Sequence, residues 1–200
     1  MSTAKADILA RVRSALGPSP VVPEIPRAYR LAGTLERDAA VVDRFCETVA
    51  EYRATVHRVA ESEVAFTVRS MLGNGQRVGV PAGFRDLGLP VIEDHGLTVA
   101  ELDELDAVVT GSALAIADTG TIVLVSGEQS GRRALTLVPD HHICLVAASS
   151  VVPSVPDAIA ALGPDAPITL VSGPSATSDI ELDRVEGVHG PRVLDVIVFA

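Results

Sequence analysis

Tryptophan is absent from this chain, and aromatic residues make up only 3% of its 200 residues. A core must therefore be packed from valine, leucine, isoleucine and alanine, which the apolar content of 48% can supply. Cysteine occurs twice, as Cys46 and Cys144, far apart, in apolar surroundings and without a CxxC motif. Two such residues exclude an iron–sulfur cluster held by this chain alone and are expected to be buried free thiols. Basic residues are few, 16 against 26 acidic ones, for a net charge of −10. Nucleic-acid binding needs clustered lysine and arginine, so nucleic acid is not an expected partner. No apolar run approaches the roughly 20 residues of a membrane span. The N-terminus lacks the apolar core of a signal peptide, so the expectation is a cytoplasmic protein with no membrane insertion. None of this counts against binding one small anion, which needs only local donors.

What is present falls into two parts. Residues 3–16 have apolar side chains at helical spacing (Ile8, Leu9, Val12, Leu16). Prolines at 18, 20, 23 and 26 then exclude regular structure, so 1–34 reads as a helical arm and an extended linker. The arm can pack on its own domain, on a second copy of the chain or on another subunit. From 35 to 200 helical and strand patterns alternate. Helices are expected at 35–52, 61–72 and 156–162, with a helical turn at 101–105. Strands are expected at 55–59, 77–80, 89–92, 107–110, 167–171 and 193–199. Between 107 and 147 lie short apolar runs, including ALTLV at 134–138, that read as strands buried on both faces. The expected class is α/β, with an open, mainly parallel sheet and flanking helices.

Five segments are candidates for chemistry. Ile168-Thr169-Leu170-Val171 stops at Ser172-Gly173-Pro174-Ser175, and Thr177, Ser178, Asp179 and Glu181 follow. A strand that breaks at such a turn and opens a helix offers free N–H groups to a capping side chain or an anion. Thr119-Gly120-Thr121 reads first as a tight turn with Gly120 at positive φ, and second as a backbone approach flanked by two hydroxyls. Gly127-Glu128-Gln129-Ser130-Gly131-Arg132-Arg133 is either a mobile surface loop or one that closes over an anion, with Arg132 as counter-charge. His141 and His142 are adjacent on a strand and point to opposite faces, so they do not suit one metal, and no metal site is expected. One of them could still titrate in a cleft. His189 sits in a Gly-Val-His-Gly-Pro turn whose structural and functional readings weigh equally. No G-x-S-x-G elbow is present.

Four segments in this order, TGSALAIADTGTIVL (110–124), GRRALTLVPDHHICLV (131–146), SGPSATSDIE (172–181) and GVHGPRVLDVIV (187–198), resemble the LUD-domain proteins of the LutC/YkgG type. The resemblance spans nearly the whole chain and includes PRAYR at 26–30 and the acidic Asp118 before Thr-Gly-Thr. It implies a fold like that of the NagB/RpiA/CoA-transferase group. It also implies a role in lactate utilisation, the oxidation of L-lactate to pyruvate by a complex whose other members carry the iron–sulfur clusters. It brings no assigned catalytic residues. It favours Thr119, Gly120, Thr121, Ser172, Gly173, Ser175, Ser178, Asp179, Glu181 and His189, with Arg132, as ligand contacts converging at the carboxyl ends of neighbouring strands.

The leading expectation is an accessory or substrate-binding subunit that holds a small anionic metabolite, carries no cofactor of its own and works with iron–sulfur subunits. Two alternatives stand beside it. One is an acyl- or phosphoryl-transfer enzyme with Glu128, Asp179, Glu181 or His189 in acid–base roles, which requires a carboxylate and His189 in one pocket. The other is a non-catalytic assembly or regulatory module docked through the 3–16 helix, with a second copy of the chain among its candidate partners.

Overall fold

The fold comes from a computed structural model that describes residues 3–35, 38–73, 75–163, 167–177, 185–186 and 189–200. The chain divides into two units, Met1–Arg30 and Leu31–Ala200. In the first, α1 (Ala4–Leu16) is capped by Thr3, whose Oγ1 accepts from the Ala6 N–H. Its apolar residues Ile8, Val12 and Leu16 are exposed, and residues 17–30 form neither helix nor strand.

The second unit opens with α2 (Ala39–Glu51), capped by Asp38 and burying Phe45 and Val49. There follow β1 (Thr55–Val59), α3 (Val64–Met71), β2 (Val78–Pro81), β3 (Ile92–Asp94), α4 (Val99–Asp103) and β4 (Ala107–Gly111). Next come β5 (Leu114–Ile116), β6 (Thr121–Val125), α5 (Arg133–Leu137), β7 (His141–Ala147), β8 (Val151–Val152) and α6 (Val155–Ala161). The chain closes with β9 (Ile168–Val171), β10 (Ala176–Thr177), β11 (Val185–Glu186) and β12 (Val193–Phe199). Among the described residues, no helix is long and apolar enough to cross a membrane.

Six strands form one parallel sheet in the order β1-β12-β7-β4-β2-β3. The continuous apolar runs have the expected cause, since β7 and β12 are covered on both faces. On one face Val109, Ile143, Leu145 and Ile197 pack against Val64 and Val68 of α3. On the other, Cys144, Val146, Val196 and Val198 meet Phe45 and Val49 of α2, together with Ala115, Ile122 and Leu124. Those last three belong to a second sheet, β8-β5-β6-β9, whose outer face α6 covers through Ala158. The chain is thus α/β with a mainly parallel sheet, and it stacks a smaller mixed sheet on one face.

Three local readings change. The run at 134–138 is helix α5, because Ala134, Leu135 and Val138 lie on one helical face against Leu102, Leu105 and Val108, and Pro139 ends the turn. The strand expected at 89–92 begins only at Ile92, since Pro90 has no N–H to donate to a ladder. The segment after Ser175 is not a helix start: Ala176–Thr177 pairs antiparallel with Val185–Glu186.

The Thr-Gly-Thr segment is the turn between β5 and β6. Gly120 has a φ of 57°, and a Cβ there would stand 2.7 Å from the Val49 nitrogen and 2.8 Å from the Thr48 carbonyl carbon. The turn therefore lies directly on the backbone of α2. Gly120→Ala combines left-handed strain with a backbone clash. It is expected to lower unfolding free energy by roughly 2–4 kcal/mol in urea titration, whereas a loss below about 0.5 kcal/mol would contradict this packing.

Candidate functional site

Strand β9 pairs with β6 so that Val171 lies beside Ile122, which brings Ser172 alongside Thr121. The Ser172 and Thr121 hydroxyls are 2.8 Å apart, and Thr121 and Thr119 are 2.7 Å apart. This row of hydroxyls runs to the rim of a cleft of about 300 Å³. The cleft wall includes Arg133 and Thr136 of α5, His142 of β7, Ser172, Ser175 and His189. Thr119 and Thr121 reach it only through Ser172. The cleft lies at the amino-terminal edge of the parallel sheet, where β7 and β12 begin, and not at the carboxyl ends of the strands as expected.

Two turns shape the cleft. Ser175 donates its N–H to the Pro191 carbonyl (2.8 Å), and its Oγ accepts from the His189 N–H (3.0 Å). Ser175 is therefore a clasp between the 172–175 and 189–191 turns, not a helix cap. The His189 turn is anchored by Arg192, which forks onto the Asp140 carboxylate. That contact holds the Asp140 carboxyl below its ordinary value. Gly173 has a φ of 88°, and a Cβ there would come within 2.6 Å of the Tyr52 carbonyl oxygen. Like Gly120, it is a glycine because the end of α2 is in the way, and it also lines the cleft.

Arg132, the expected counter-charge, is engaged elsewhere in the fold. Arg132 forks onto Asp94 at 2.7 and 3.0 Å and also donates to the Leu97 carbonyl. Burial raises the Asp94 carboxyl, but Arg132 and the N–H groups of Leu97 and Gly96 outweigh it and hold it below the ordinary range. Arg132 therefore fastens α5 to the loop after β3. Arg133 lines the cleft and has no carboxylate partner among the described residues. Asp118, the acid before Thr-Gly-Thr, pairs with Arg44 of α2 at 3.3 Å. Ser178, Asp179 and Glu181 lie outside the described residues.

The adjacent histidines do face opposite ways. His141 approaches Asp195 at 2.6 Å, and His57 approaches the same carboxylate at 3.2 Å, both away from the cleft. Burial raises the Asp195 carboxyl, but these two contacts outweigh it and lower it. His142 is fully buried, 2.8 Å from the Thr110 hydroxyl, and burial pushes its imidazole down to about 4. It lines the cleft but does not titrate near neutral pH. Among the described residues, no group of three or more potential ligands is placed to hold a metal.

Chemically, the cleft offers the Arg133 guanidinium, unpaired among the described residues, serine hydroxyls and the His189 side chain. Among the described residues, no hydroxyl lining it is hydrogen-bonded to an imidazole, so a serine nucleophile with its base is not assembled. Of the carboxylates named for the transfer-enzyme alternative, Glu128 lines a different cavity, and Asp179 and Glu181 lie outside the described residues. Sequence reasoning placed one of the paired histidines in a cleft, which is His142, but did not name Arg133 or Thr136 as wall residues. Only Arg133 had a signal, as the second half of the Arg-Arg pair.

His142 makes stability depend on pH. Its folded-state value lies below the unfolded value of 6.5, so the unfolded chain binds more protons between the two. Stability from this group is complete above about 6.5 and is lost as pH falls towards 4, on the order of 3 kcal/mol in all. Urea midpoints measured from pH 7 to 4.5 should fall accordingly and should fall less in His142→Gln. Equal slopes in the two proteins would contradict the assignment.

Comparison with known proteins fits this architecture. The LUD domain family model matches residues 93–199. A "Lactate utilization protein C" from Deinococcus radiodurans is 42% identical over 98% of this chain and 95% of its own length. A protein of the same name from Bacillus subtilis is 36% identical over 52% of this chain and 48% of its own length. The crystal structure of a DUF162 family protein from Deinococcus radiodurans superposes with a TM-score of 0.69 at 38% identity, covering 81% of this chain and 98% of that one.

Proposed function

The chain belongs to the LUD domain family, and on that premise we propose that it serves lactate utilisation as an accessory subunit that binds a small carboxylate anion. The observation that carries this reading is Arg133, a guanidinium that has no carboxylate partner among the described residues and lines, with serine hydroxyls, a cleft of about 300 Å³. A carboxylate can take a forked pair of bonds from arginine and further bonds from hydroxyls. The names of the relatives supply the metabolic context.

Oxidation of lactate to pyruvate releases two electrons, and they need an acceptor. The two cysteines do not supply a cluster, and burial pushes the fully buried Cys144 thiol up to about 12, which keeps it protonated. In this reading the electron carriers are iron–sulfur clusters of partner subunits, this chain carries no cofactor, and the complex works in the cytoplasm.

The test is a thermal-shift and calorimetric titration of the purified chain with L-lactate and pyruvate. Binding to the native state raises the melting temperature. Arg133→Ala should weaken binding at least tenfold, the scale of a lost charge-assisted bond. Ser172→Ala should weaken it less, and Arg132→Ala should lower stability but leave affinity unchanged. No binding of either acid, or equal loss of affinity in Arg132→Ala and Arg133→Ala, overturns the reading. Turnover of lactate by the isolated chain with an artificial acceptor overturns the accessory role.

A further inference from the structure

A second cavity, of about 390 Å³, opens at the opposite edge of the parallel sheet. It is lined by the turn after β2 (Gly83–Arg85), by Gly111–Ala113 after β4, by Leu145 and Ala147 of β7 and by Phe199 of β12. Strand β2 connects outward to β3, whereas the chain after β4 moves the other way, through β7 to β12. The crevice between β2 and β4 is therefore the point where the winding reverses, and open α/β sheets bind ligands at the carboxyl ends of their strands there.

Its walls are distinctive for this chain. Of four phenylalanines in the sequence, two, Phe84 and Phe199, line this one cavity. Glu128 and Gln129 stand at its mouth on the Gly127–Gly131 loop. That loop is pinned: Gly127 and Gly131 exchange backbone hydrogen bonds, the Gly111 N–H donates to the Gln129 carbonyl (2.8 Å), and the Ser130 hydroxyl donates to the Gly111 carbonyl (3.0 Å). The Glu128 carboxylate makes no hydrogen bond or ion pair among the described residues. The cation of this cavity, Arg85, is already shared between Glu61 at 3.5 Å and the face of Phe199 at 5.7 Å.

A carboxylate that, among the described residues, has no partner and no free cation beside it repels phosphate and accepts from O–H or N–H donors. Aromatic and aliphatic walls favour a flat ring. A carboxylate on a ribose diol at a winding reversal is a recurrent arrangement in α/β proteins. We propose that this cavity binds a ribonucleoside, with the base against Phe84 and Phe199 and the ribose hydroxyls on Glu128. This site is separate from the Arg133 cleft and does not depend on the reading given to it.

Adenosine, guanosine, cytidine and uridine titrated into the full chain by calorimetry test this. At least one should bind, its 2′-deoxy analogue should bind roughly tenfold more weakly, and Glu128→Gln should cause a similar loss. Arg133→Ala should leave the affinity unchanged. No binding by any of the four, affinity indifferent to both Glu128→Gln and removal of the 2′-hydroxyl, or loss of binding in Arg133→Ala overturns the proposal.

Discussion

Two close approaches seat the smaller sheet on α2: Gly120 on the backbone of Thr48 and Val49, and Gly173 on the carbonyl of Tyr52. In both places the neighbour is main chain, which cannot turn aside as a side chain can. The start of β6 and the end of β9 are thereby fixed to the same helix. Thr121 and Ser172 fall within hydrogen-bond distance as a consequence. The turn that follows Ser172 then has only a short path to the first residues of β7 and β12, where Ser175 ties it to the His189 turn. The cleft thus results from how the second sheet is seated, and its walls come from parts of the chain far apart in sequence.

The two arginines after Gly131 show how local geometry divides roles. Arg132 precedes α5 and turns back to Asp94, where two N–H groups and a guanidinium share one carboxylate. Arg133 starts the helix and points to the cleft. The fixed neighbour holds the helix, and the helix presents the charge that has no carboxylate partner among the described residues. A mirror-image division holds at the other edge of the sheet, where Arg85 pairs with Glu61 and the Glu128 carboxylate is unpaired among the described residues. These two cavities therefore present opposite charge, one suited to an anion and one to a donor-rich neutral ligand.

Much of this was legible in the sequence. Apolar runs without polar alternation marked the buried parallel strands, and the helical repeat over 35–52 marked α2 and its inward Val49, but not Phe45. The turn reading of Gly120 needed only the habit of glycine between two strands. What could not be read was anything set by tertiary contact. The segment 134–138 has apolar residues that suit either state, and its packing on Leu102, Leu105 and Val108 decided for helix. That Arg133 rather than Arg132 reaches the cleft depends on Asp94, some 38 positions away. The hydroxyl-rich segment after Ser175 looked like a capped helix because capping residues and short polar strands share composition. Glu128 was noticed as a carboxylate, but nothing local revealed that its loop closes on the end of β4 rather than over the cleft.

The central claim is that the amino-edge cleft holds a carboxylate on Arg133. A crystal structure of the chain with pyruvate bound tests this most directly. The account predicts the pyruvate carboxylate within about 3 Å of the Arg133 guanidinium, with a further bond from Ser172 or Ser175. Pyruvate bound at full occupancy elsewhere, with Arg133 left facing solvent, would contradict it.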